Sequence, residues 1–227
     1  EVLDNYEVGL KASWLDDRLL TNVSVFYGIY DDIQQTILAA GPAGDFASRV
    51  ANAGEAVVRG AEFEMRAVPL PGLDLRVGLG FTDAEYREFD DVIEGPVVNM
   101  MQSTIPISRR NEDFFNTPSF TGTFSAAYTI VGVGPLGDVT TRLSWFQQDE
   151  VNFGPSSDTL EQGKYGLLGA QITFALPDGQ TEIALFGENL LDRRYVNSGI
   201  NFERGFAASL AYFGPPRMYG VEIRRDF

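Results

Sequence analysis

A chain of 227 residues with 17 basic and 32 acidic side chains has a formal charge of −15, which argues against nucleic acid as a partner because phosphate binding needs the opposite sign. It contains no Cys and no His, so disulfides, thiolate or imidazole metal sites and His-based catalysis are excluded. No apolar run reaches the roughly 20 residues of a helical membrane span, yet a mean hydropathy of −0.08 leaves a membrane barrel open, since alternating strands average to nothing.

Tyr6, Val8, Leu10, Ala12 and Trp14 share one parity, with Glu7, Gly9, Lys11 and Ser13 on the other. This period of two predicts a strand with one apolar face. Asp16-Asp17 supplies a tight turn, after which Val23, Val25, Tyr27 and Ile29 alternate with Asn22, Ser24, Phe26, Gly28 and Tyr30. The stretch Ala39 to Phe46, with its Gly-Pro-Ala-Gly core, predicts a longer loop. A third strand is predicted from about Ala56 to Val68, with Ala61, Phe63, Met65 and Ala67 facing Gly60, Glu62, Glu64 and Arg66 across the pleat. Mixed charges on one strand face are costly in a dry core but acceptable in a wet lumen. Pro69 to Gly72 turns the chain into Leu73, Leu75, Val77, Leu79 and Phe81.

From Glu85 to Thr117 the alternation vanishes, and loops of that length are functional or disordered. Phe120, Phe124, Ala126, Tyr128 and Ile130 then oppose Ser119, Thr121, Thr123, Ser125 and Thr129, and Gly132 to Gly137 turns into Val139, Thr141, Leu143 and Trp145. Asp149 to Gly163 is predicted as loop. Leu168, Ala170, Ile172, Phe174 and Leu176 precede a Pro177-Asp178-Gly179 hairpin, and a last loop is predicted from Asn197 to about Pro216. In the closing stretch Tyr219, Val221, Ile223 and Phe227 oppose Gly220, Glu222, Arg224 and Asp226.

The count is about nine strands, with short connections at every second position. Outer-membrane barrels show that rhythm, short turns on one side and long loops on the other, whereas a soluble sandwich has modest loops at both ends. The predicted class is therefore all-β, an antiparallel up-and-down transmembrane β-barrel segment that is incomplete. A soluble β-sandwich acting as a binding or adhesion module is the rival. An enzyme on a barrel lacks both His and a GxSxG-type serine.

Four stretches add a resemblance. Asn189-Leu190-Leu191-Asp192-Arg193-Arg194-Tyr195 resembles the NLxDxxY segment of TonB-dependent outer-membrane receptors, and Tyr6 to Lys11 resembles their YExGxK strand opening. Asn52 to Glu64 resembles their NAGxAxxxGxExE strand, and Pro215 to Val221, ending in Phe227, resembles their PRxYG closing strand. The resemblance implies a parent barrel of about 22 strands in a Gram-negative outer membrane. Such a barrel imports iron-siderophores or other scarce nutrients, is plugged by an N-terminal domain and is energised by a TonB complex. The chain, beginning at Glu1 without Met, is expected to be the C-terminal part of such a barrel, without the plug. Implied partners are outer-membrane lipid and lipopolysaccharide, the plug and remaining strands of the parent, the TonB complex, a siderophore or similar nutrient, and the barrel-insertion machinery. That machinery would read Tyr219, Val221, Ile223 and Phe227 as an assembly signal by strand addition. By itself the piece is expected to form an open curved sheet or a strained small closure, with Tyr6 to Trp14 and Arg217 to Phe227 at the edges.

No cofactor, metal or catalytic group is expected. Glu62 and Glu64 lie at a spacing that glycosidase carboxylates tolerate, but a solvated lumen pair balanced by Arg59 or Arg66 is the simpler reading. The acidic run Glu85 to Glu94 lacks the EF-hand spacing for calcium and reads as solvated loop charge. Arg109 and Arg110 are the candidates for contact with an anionic siderophore or lipopolysaccharide phosphate, beside the alternative of plain surface charge. Trp14, Tyr86, Trp145, Tyr195, Tyr212 and Tyr219 are the candidates for interface girdles.

Overall fold

The computed structural model describes residues 1–40, 46–52, 54–98, 101–154, 160–201 and 209–226. Nine long strands make one antiparallel sheet: β1 (Val2–Trp14), β2 (Leu19–Asp31), β5 (Glu55–Ala67), β6 (Leu73–Tyr86), β9 (Phe120–Ile130), β10 (Asp138–Gln148), β13 (Tyr165–Ala175), β14 (Thr181–Glu188) and β17 (Met218–Arg225). Their spatial order is their chain order, β1 and β17 stand at opposite edges, and the sheet is open. An open sheet is thus what forms, and the strained small closure does not occur.

The register carries the predicted parity from strand to strand. Val8 lies opposite Val25, Val25 opposite Ala61, Ala61 opposite Phe81 and Phe81 opposite Phe120. This row of the face is thereby apolar from β1 to β9, and no second sheet covers it among the described residues: Val25 is 50% and Phe124 40% exposed. A soluble sandwich would bury these residues between layers, so the two-layer alternative is overturned. The facing rows hold Asn22 and Glu64, Ser24 and Glu62, Gly78 and Thr123, and Arg142 and Gln171.

Connections alternate as expected. At one end Leu15, Asp16 and Asp17 adopt positive φ in the β1–β2 turn, where the Ser13 hydroxyl donates to Asp17. Pro69 to Gly72, residues 131–137 and Pro177 to Gly179 make the other short turns. At the opposite end the structure departs from expectation. The stretches predicted as loops contain hairpins: β3 (Gln34–Ala40) with β4 (Phe46–Asn52), β7 (Asp90–Val98) with β8 (Met101–Ser108), β11 (Val151–Asn152) with β12 (Glu161–Gln162), and β15 (Val196–Asn201) with β16 (Ser209–Phe213). Each of these hairpins is a separate two-stranded sheet, not paired with the nine-stranded one, so the inside-outside pattern of the wall does not fix its sequence. The Gly41 to Gly44 tip lies outside the described residues.

Enclosed apolar clusters sit at the roots of these hairpins, away from the middle of the sheet. One groups Ile33, Ala56, Tyr86 and Phe89, with Tyr30 and Phe114 against it. The other groups Val151, Phe153 and Leu160, with Val196 against it.

Candidate functional site

On the polar face, Glu64 accepts from Asn22 Nδ2 at 3.0 Å and Glu62 accepts from Ser24 Oγ at 3.5 Å. Arg66 and Arg76 both bind Asp74, at 2.7 and 2.8 Å. The glutamates are therefore not balanced by Arg59, as the sequence reading allowed. Arg59 has the opposite parity, stands on the apolar face opposite Tyr27 and Asp83, and gives Asp83 Oδ2 two hydrogen bonds of 3.0 and 2.7 Å. Nor does Arg66 balance them, since its partner is Asp74. Ion pairs this solvated contribute little, about 0–1 kcal/mol; they keep the lumen face wet and mixed in sign.

A cleft of about 470 Å³ opens on the polar face. Arg76, Phe146, Leu167, Glu188, Asn189 and Tyr195 contribute to its lining. Room for it comes from Ser125, Ser144 and Gly169, small residues that lie side by side in successive strands.

The Asn189 to Tyr195 segment is a bend in the wall where β14 ends. Asn189 and Asp192 take positive φ, a conformation their short polar side chains tolerate. Asn189 is buried and uses its amide fully: Nδ2 donates to the carbonyls of Arg193 at 2.9 Å and Pro215 at 3.0 Å, and Oδ1 accepts from Arg193 N–H at 2.8 Å. Asp192 accepts from Arg217 N–H at 3.3 Å and faces its guanidinium at 3.7 Å, while that guanidinium also donates to Leu190 O at 3.4 Å. Leu190 N–H continues the ladder to Leu168 O. Tyr195 turns inward, stacks on Tyr165 at 4.7 Å and is 8% exposed. Of the motif residues singled out in the sequence, Asn189, Leu190, Asp192 and Tyr195 are thus brought together with Pro215 and Arg217 of the closing stretch.

Arg109 and Arg110 are separated by their surroundings. Arg109 is fully enclosed, bonded to Glu112 at 2.8 Å and set beside the Phe89 ring, so it anchors the β7–β8 hairpin and does not reach toward a ligand. This corrects the expectation for Arg109. Arg110 is exposed. The same root explains the Asn52 to Glu55 stretch: Gly54 has φ +97° and lies so near Glu88 that a Cβ would meet its carbonyl oxygen at 2.4 Å. The neighbouring Glu55 carbonyl accepts from both Arg87 and Glu88 N–H.

Of the proposed girdle aromatics, Tyr86 and Tyr195 are buried on the inner side and are withdrawn from it. Trp14, 52% exposed, keeps its indole N–H on Thr21 Oγ1 at 3.0 Å. Trp145 lies mid-sheet opposite Phe124 and Leu168. The sequence reading passed over Tyr6 and Tyr27, paired on the apolar face one row above Val8 and Val25. Tyr219, Val221 and Ile223 of the closing strand all face outward and exposed, whereas Phe227 lies outside the described residues.

An apolar outer face, a charged inner face and a rhythm of turns and hairpins describe barrel wall, and comparison decides whose. Residues 1–190 match the family described as TonB dependent receptor-like, beta-barrel.

The chain belongs to that family.

It is 25% identical over 223 residues to the ferric-pyoverdine M114 receptor PbuA of Pseudomonas sp. (strain M114), a match covering 98% of this chain and 24% of the receptor. The fold superposes on the ferric yersiniabactin uptake receptor FyuA of Yersinia pestis with a TM-score of 0.75 at 20% identity, covering 99% of this chain and 30% of that one. It also matches the ferripyoverdine receptor of the outer membrane of Pseudomonas aeruginosa, with a TM-score of 0.67 at 19% identity over 98% and 27% of the two chains. The chain thus spans about a quarter of the length of the curated relatives it matches. As TonB-dependent receptor barrel, its nine strands supply wall and lumen lining, and the family is one of transport receptors.

Proposed function

We propose that this chain is the C-terminal wall of an outer-membrane importer of a Gram-negative bacterium that takes up a ferric siderophore, and that it carries no enzymatic activity. The observation that supports this most is the single sheet whose apolar face has no cover among the described residues and whose other face is charged and hydrogen-bonded. In hydrocarbon only fully paired backbone is tolerated, so the two edges require the remaining strands of a parent barrel. On this reading a plug and the TonB complex are partners through the parent protein, and lipid and lipopolysaccharide meet the outer face. The insertion machinery takes the closing strand. Arg110, exposed beside the β7–β8 hairpin, is the group offered to an anionic chelate at the mouth.

The absence of cysteine makes the test clean for this segment. In the full receptor in its membrane, single cysteines at Val23, Val25, Phe63 and Phe124 are expected to resist an aqueous thiol reagent, while those at Ser24, Glu62 and Thr123 react; equal protection of both sets would sink the membrane reading. For the cargo, an iron-limited receptor-deletion strain carrying the full receptor is expected to recover growth on a ferric siderophore such as ferric pyoverdine. The Arg110→Glu receptor is expected to need about tenfold more of it, the worth of one lost charge-assisted bond.

A further inference from the structure

Register in an antiparallel pair is normally set by the turn that joins it. That holds for β13 and β14, where Asp178 accepts from the Thr181 hydroxyl and from the N–H groups of Gln180 and Thr181 in a tight turn. It cannot hold for β14 and β17, which are joined through residues 189–217 with the β15–β16 hairpin between them. Nor does the inside-outside pattern decide. If β17 slid by two residues along β14, Tyr219, Val221 and Ile223 would still face outward, and Glu222 and Arg224 inward.

Two features separate the observed register from its neighbours. Asn189 and Asp192 tie the end of β14 to Pro215 and Arg217, the residues that lead into Met218. Below them the Phe186 ring lies over Gly220, where a Cβ would come within 2.3 Å of Phe186 Cζ. A slip in either direction would bring Met218 or Glu222 opposite that ring in place of glycine.

We propose that the Asn189 to Tyr195 bend is a register lock for the closing strand. Asn189 and Asp192 are positioning residues that fix β17 against β14 from the hairpin end, with Phe186 over Gly220 as the key. The register they select determines which backbone groups β17 presents along its outer edge, the edge with no neighbour among the described strands. The lock acts on strand placement and is independent of the cargo.

Disulfide trapping in the full receptor in its own membrane reads register directly. Ala184 and Glu222 are partners in the observed register; cysteines at 184 and 224, or at 182 and 222, would be opposed only after a slip of two. With the native lock, the 184/222 pair is expected to close and the two slipped pairs to stay at background. Combining Asn189→Ala with Asp192→Ala is expected to raise one slipped pair about tenfold relative to 184/222, the scale of the bonds removed, while heat-modifiable barrel is still found. Slipped pairs that stay at background in that folded variant would overturn the lock. Should the double variant not accumulate, Asp192→Asn, which weakens only the Arg217 tie, is read by the same pairs, and no rise again counts against it. A loss of stability alone would lower the 184/222 yield and leave both slipped pairs at background.

Discussion

The wall and the hairpin roots bury their apolar side chains against different surroundings. In the wall, Val8, Val221 and Ile223 are 73%, 64% and 70% exposed, and the sheet is one layer thick among the described residues; on the proposed function the cover is lipid. At the root of β3–β4 and β7–β8, Ile33, Tyr86 and Phe89 close over one another, with Tyr86 and Phe114 rings 4.5 Å apart and Arg109 sealed beneath. That is how a water-soluble domain packs. One chain therefore meets two environments within a few residues, and the same substitution should have opposite signatures in the two regions.

The largest effect is expected at the root. Phe89→Ala should cost about 3–5 kcal/mol of local stability, seen as faster hydrogen exchange and protease cleavage in residues 87–119 while the barrel stays heat-modifiable. Global unfolding of the barrel instead would break the distinction. Next, Phe124→Arg in the wall should cost about 2–4 kcal/mol at mid-membrane depth, measured by reversible unfolding of the full receptor from lipid vesicles, with hairpin protease resistance unchanged. On the lumen side, Arg66→Ala should cost less than about 1 kcal/mol in the same assay, because the pair is solvated and Asp74 retains Arg76.

The smallest effect is one of pH. The Thr181 hydroxyl, and then the Gln180 N–H, hold the Asp178 carboxyl below its ordinary range. A depressed folded value stabilises the turn above the unfolded value and loses that support as pH falls through the folded one. Protection of the Thr181 amide, measured against the intrinsic exchange rate at each pH, should therefore fall below about pH 4, and Asp178→Asn should flatten that dependence.

The wall was legible because a single-layer sheet with one apolar and one polar face must alternate. Val25, Phe63 and Phe124 could be placed from parity alone. The hairpins were not, since β7 and β8 carry their signal in β-branched residues such as Val92, Ile93, Ile105 and Ile107, which mark strands without marking a face. Arg109 was misjudged for a related reason. A guanidinium in a long irregular stretch looks like surface charge until its neighbours Glu112 and Phe89, supplied by the fold of the hairpin root, are known. The Asn189 to Tyr195 bend could be found as a motif, but its ties to Pro215 and Arg217 cross the β15–β16 hairpin and no local pattern announces them.

The Arg59 and Asp83 pair, set on the outer face in line with Tyr6 and Tyr27, draws a waterline. Trp14 marks the keel on the first strand. The eight steps from Tyr6 to Trp14, rising about 3.3 Å each and tilted about 40°, give a hydrophobic draught of roughly 20 Å. That suits a thin bilayer, and a thicker one would have to pinch inward around the hull or pull the ion pair under.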